Sequence, residues 1–138
     1  MTARLFLDTN ILIYALDPAD PRKRKIAADL LRETISSGLL SLSPQSLNEA
    51  YRVLSQRRRL IPRDDARRFL GTLAAWARAP LDAETTTLAW EIEDETGYGW
   101  WDSLLLASAL RAECAVFLSE DLTPGRMVRE MRIVDPFG

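Results

Sequence analysis

Four acidic residues far apart in the chain, Asp8, Glu49, Asp102 and Asp121, are the groups whose type and placement suggest chemistry. The rest of the composition narrows what that chemistry is. The 138-residue sequence contains no histidine and one cysteine, Cys114. Ser-His-Asp and Cys-His nucleophilic catalysis are therefore excluded, and a His/Cys zinc site would have one ligand at most. No disulfide can form within the chain, which fits a reducing cytoplasm. No apolar run approaches the ~18 residues that span a membrane. The first apolar run is interrupted at Asp8, unlike that of a signal peptide. A cytoplasmic protein with no membrane partner is expected. Its chemistry must fall to carboxylates, hydroxyls, amides, arginines or the two lysines, Lys23 and Lys25.

Such distant acids act together only if the fold gathers them, and the pattern of elements says how. The length predicts a single domain over residues 1–138, and 47% hydrophobic with 28% charged residues is an ordinary globular balance. Residues 4–7 read as a buried strand ending in Asp-Thr-Asn, followed by a helix over 11–16 capped by Thr9 or Asn10. A helix fits 21–36, stopped by Gly38, and a strand fits 39–42. Ser43-Pro44 opens a helix to about residue 58. Ile61-Pro62 breaks it, and another helix covers 62–78. A short strand at 80–81, a helix over 85–95, an apolar helix over 102–112, a strand at 115–118 and a last strand at 133–134 complete the chain. Strands alternating with helices predict an α/β protein, three layers α/β/α around a central mostly parallel sheet.

In a parallel sheet, strand C-termini and the N-terminal halves of the crossover helices share one edge, where ligands bind. Asp8 follows the first strand, and Asp121 follows the strand ending at Leu118. Asp102 opens the buried helix leading into that strand, and Glu49 lies early in the helix after the second. All four belong to that edge. Glu33, Asp94 and Glu95, late in their helices, belong to the opposite one; Asp135 follows a strand, but Pro136 suggests a plain turn. Four converging carboxylates repel one another, and a hard divalent cation relieves this. An all-oxygen donor set favours Mg²⁺ or Mn²⁺ over Zn²⁺.

Each residue also has an ordinary structural role to weigh. Asp8 and Asp102 could be helix caps, Glu49 a solvated helix residue and Asp121 a turn residue. Asn10 and Ser119 could serve as a cap and a turn hydroxyl, or could orient ligands by hydrogen bonds. Trp100-Trp101 suits a core or interface better than a base-stacking platform, and Cys114 reads as structural. Two basic stretches, residues 22–25 and the arginines between 52 and 68, are either solvated helix faces or holders of phosphate. A net charge of −2 gives nucleic-acid binding little support.

The segment Leu5-Phe6-Leu7-Asp8-Thr9-Asn10-Ile11-Leu12-Ile13-Tyr14 resembles the opening motif of the PIN-domain family. Leu47-Asn48-Glu49 resembles its second motif, Trp101-Asp102-Ser103-Leu104-Leu105-Leu106-Ala107 its third, and Leu118-Ser119-Glu120-Asp121 its fourth. In order and spacing, over residues 4–135, the chain resembles the small VapC-type toxins of bacterial toxin–antitoxin pairs. It departs at Ser103, where the family often has Ala, and at Ser119, where it often has Thr; neither change removes a carboxylate. The resemblance implies a Mg²⁺- or Mn²⁺-dependent endoribonuclease with RNA as substrate. It also implies a homodimer and a small cognate antitoxin protein covering the active-site groove. Asp8, Glu49, Asp102 and Asp121 would be its catalytic and metal-holding residues, with Asn10 and Ser119 supporting them. Two rivals stand beside it. A haloacid-dehalogenase-like phosphatase would use Asp8 as nucleophile, but it usually needs a second Asp where Asn10 stands, and a positioned Lys. A non-catalytic PIN-like module would bind a partner or RNA without cutting. Cleavage of single-stranded DNA by the same site is a third possibility.

Overall fold

Strand β1 (Arg4–Leu7) turns Leu5 and Leu7 to one face of the sheet and Phe6 to the other, the two-residue period of a strand covered on both sides. The computed structural model describes residues 3–138. β1 lies between β2 (Leu40–Ser41) and β3 (Cys114–Leu118), and the sheet continues through β5 (Met131–Val134) to β4 (Met127–Val128). All neighbours are parallel except the β4–β5 pair. Phe6 and Phe117 are register partners, and their rings stack with centroids 5.1 Å apart.

Helices cover both faces, giving the expected three layers. Leu7 and Leu118 pack on one side against α1 (Thr9–Tyr14), α2 (Pro21–Ser36), α3 (Pro44–Arg52) and α4 (Arg63–Leu73), through side chains such as Leu12, Leu31, Ala50 and Leu70. Phe6, Phe117 and Ile133 pack on the other against α5 (Ala83–Thr96) and α6 (Trp100–Arg111), through Ala89, Ile92 and Leu106. Cys114 is buried in this second layer. No helix among the described residues is long and apolar enough to cross a membrane.

The structure departs from the sequence expectations in five places. α1 begins at Thr9 rather than at residue 11, because the Asp8 carboxylate, not Thr9 or Asn10, caps it. The helix expected to reach residue 58 is α-helical only through Arg52 and then widens into a π-helical turn, Val53–Arg57. The helix expected to reach 78 tightens into a 3₁₀ turn at Ala74–Trp76. Pro80-Leu81 forms no strand: proline has no N–H to offer a ladder, and its carbonyl accepts from the Ser108 and Thr85 hydroxyls instead. β4 went unforeseen because the turn to β5 uses Arg129 in the left-handed region (φ 55°) and Glu130 rather than a Gly or Asn signal.

Candidate active site

Asp8 sits where β1 ends beside β3. Its backbone N–H donates to the Leu118 carbonyl at 3.0 Å, which fixes the residue at the C-terminal sheet edge. One carboxylate oxygen accepts from the Thr9 N–H at 2.7 Å and the other from the Ser119 hydroxyl at 2.8 Å. Ser119 is itself anchored, its N–H on the Val134 carbonyl at 2.9 Å and its Oγ accepting from the Asp121 N–H at 3.2 Å. Asp8 is only 6% exposed. Burial pushes its carboxyl up to about 6, against the lowering effect of the Ser119 and Thr9 hydrogen bonds; the nearby charges of Asp102 and Asp121 add to the rise. A helix-capping aspartate has no need of such an environment. Two donors leave about two of a carboxylate's four lone-pair directions free.

The other acids arrive from separate elements. Glu49, half-buried on α3, is braced from two sides: the Gln45 amide, one helical turn earlier, donates at 2.7 Å, and the Thr9 hydroxyl donates at 3.0 Å. Asp121 is exposed, and its carboxylate accepts from the Asn10 amide at 2.5 Å. Asp102 lies in the first turn of α6, whose N-cap is Gly99, so it does not cap its helix. Its half-buried carboxylate has no hydrogen-bond partner among the described residues, and it is raised by burial first and then by Asp121 and Glu49.

All four acids line one cleft of about 550 Å³ together with Asn10, while Ser119 lies buried behind Asp8. No three carboxylates or thiols among the described residues stand close enough to ligate a single ion by themselves. The donor set therefore suits an ion held by one or two carboxylates and completed by water and phosphate, the usual habit of Mg²⁺. Asp135 does not line the cleft; it accepts from the Phe137 N–H in a turn. Glu95 pairs with Arg129 at 2.7 Å, beside the start of β5, at the opposite edge as expected.

Thr9 and Gln45, which hold Glu49, were missed in the sequence, although Gln45 stands at the i−4 position that reaches Glu49 on a helix. Trp101 was expected in a core or interface. Only Trp100 packs against the core; Trp101 is 59% exposed and lines the cleft. The basic stretches also separate. Among residues 22–25, Arg22 donates to the Phe137 carbonyl, Lys23 pairs with Glu120 at 2.6 Å and Lys25 with Asp29 at 2.9 Å, and none lines the cleft. Arg52 and Arg57 do line it.

The family model described as PIN domain matches residues 5–127. Among solved structures, the chain is similar to VapBC2 from Rickettsia felis, solved bound to a DNA fragment from their promoter. The likeness has a TM-score of 0.67 at 14% identity and covers 95% of this chain and 97% of that one, a likeness of fold. No curated protein matches the sequence.

Proposed function

The chain belongs to the PIN domain family, and from that membership and the cleft we propose that it is a divalent-metal-dependent endoribonuclease, the toxin of a toxin–antitoxin pair. The observation that carries this reading is the convergence of Asp8, Glu49, Asp102 and Asp121, from four separate segments, on one cleft. The fold shared with VapBC2 supports an antitoxin protein as partner, and a homodimer is part of the same proposal.

In this reading Asp8 and Asp102 are the principal metal holders, since both carry free lone pairs and Asp102 has no other partner. Glu49 and Asp121 complete the site directly or through water. Thr9 and Ser119 keep the Asp8 carboxylate aimed, Gln45 and Thr9 fix Glu49, and Asn10 fixes Asp121. Bound there, Mg²⁺ or Mn²⁺ supplies nucleophile activation and charge neutralisation for phosphodiester hydrolysis. Hydrolysis by water needs neither a histidine nor the RNA 2′-hydroxyl, so the products carry 5′-phosphate and 3′-hydroxyl ends. No lysine lines the cleft and Lys23 is engaged by Glu120, so nothing favours the phosphatase alternative.

Incubating the protein with total RNA and mapping the product ends tests this reading. Cleavage that requires Mg²⁺ or Mn²⁺ and leaves 5′-phosphates is expected. Cleavage that persists in excess EDTA, or that leaves 2′,3′-cyclic phosphates, contradicts it. Cleavage confined to single-stranded DNA would keep the site and change the substrate.

A further inference from the structure

The polypeptide leaves the α-helical path just past the cleft acids. The Arg58 N–H donates to the carbonyl of Val53, five residues back, at 3.0 Å, and Val53–Arg57 form a π-helical turn. Such turns are rare single insertions, frequently found at functional sites. The consequence here is angular. An α-helix advances about 100° per residue, so side chains five apart point about 140° away from each other. In an uninterrupted helix Gln56, seven residues after Glu49, would stand about 20° from the direction of Glu49, and Arg57, eight residues after it, about 80° away at the margin of the same face. The wider turn absorbs one residue and carries Arg57 into the direction Gln56 would have taken. Arg52, Val53 and Arg57 accordingly line the cleft with Glu49, and Gln56 does not.

Arg57 also stands where the cleft meets a second cavity of about 280 Å³, which shares Asn10, Val53 and Asp121 with it and continues past Glu120. Neither Arg52 nor Arg57 makes an ion pair or side-chain hydrogen bond among the described residues. The next residue, Arg58, is held by Asp17 at 2.6 Å. Two unengaged guanidinium groups thus face a line of carboxylates along a continuous groove. A planar guanidinium matches two phosphate oxygens at once.

We propose that Arg57, aimed by the π turn and assisted by Arg52, binds the phosphate next to the one presented to the carboxylates, and so sets where a polynucleotide strand lies in the groove. The proposal rests on the nuclease reading and adds the residues that hold the substrate backbone.

The test measures binding of a short fluorescein-labelled single-stranded RNA by anisotropy across a salt series, in an Asp8→Asn background so that the RNA stays intact. Arg57→Ala is expected to weaken binding about tenfold and to flatten the salt slope by about 0.7. The exchange Gln56→Arg with Arg57→Gln keeps composition and charge and is expected to behave like Arg57→Ala, while Arg57→Lys retains part of the affinity. Arg24→Ala, remote from the cleft, is the control and leaves binding unchanged. An exchange variant that binds as well as its parent, or an Arg57→Ala effect no larger than that of Arg24→Ala, overturns the proposal while leaving the nuclease reading intact. A wild-type protein that neither binds nor cuts RNA overturns both.

Discussion

Asp8→Asn is expected to abolish RNA cleavage and to make the metal-free protein more stable at pH 7. Loss of activity alone would not separate a functional carboxylate from a damaged fold; the opposite sign of the stability change does. Asp8 is buried and its carboxyl is pushed up to about 6 from 3.8. Folding therefore favours its protonated form. The stability it contributes is fully present below about pH 4, declines as pH rises through about 6, and above that is lost altogether. The difference of roughly two pH units corresponds to a penalty of about 3 kcal/mol. Asparagine carries no charge to desolvate. Its oxygen keeps the Thr9 N–H bond, and its amide faces Ser119, whose hydroxyl must turn round to accept, at a cost of about 1 kcal/mol. Denaturation in EDTA should show Asp8→Asn ahead by about 2 kcal/mol at pH 7, with the advantage fading towards pH 4. If Asp8 were only the cap of α1, asparagine, an equally good cap, would leave cleavage nearly untouched.

The second large effect is that of the metal. Chelation is expected to stop cleavage, and Mn²⁺ to stabilise the wild-type fold but not Asp8→Asn. An ion that binds only the native state at a hundred times its dissociation constant adds about 2.7 kcal/mol. The gain depends on pH in a direction set by Asp8. The ion needs the ionised carboxylate, so binding competes with a proton and weakens as pH falls through about 6. Thermal unfolding at pH 7.5 and pH 5, with and without Mn²⁺, reads this directly. An Mn²⁺ shift equal in wild type and Asp8→Asn, or equal at both pH values, removes Asp8 from the site.

Much of this was legible in the sequence because it follows from local rules. The Leu5-Phe6-Leu7 apolar run, the Pro21 start of α2 and the Ser43-Pro44 opening of α3 are local signals, and the structure keeps them. The convergence of the four acids followed from topology alone: parallel strands bring the residues after β1 and β3 to one edge. Tertiary packing decided what local rules could not. Val-Leu-Ser-Gln-Arg carries no signal for a π turn, so Arg57 could not be assigned to the cleft. α6 as a whole is apolar on nearly every side, so periodicity could not say which tryptophan faces outward. Which basic stretch was free depended on remote partners such as Glu120 for Lys23 and Phe137 for Arg22. The raised carboxyl of Asp8 comes from burial, which no spacing reveals.

The central claim is that the acids of this cleft hold a divalent ion, and a manganese-soaked crystal tests it most directly by anomalous scattering. A manganese peak within coordinating reach of the Asp8 and Asp102 carboxylates, absent in Asp8→Asn crystals, is the predicted result. A cleft without manganese at concentrations that support cleavage, or manganese bound only elsewhere on the molecule, would contradict it.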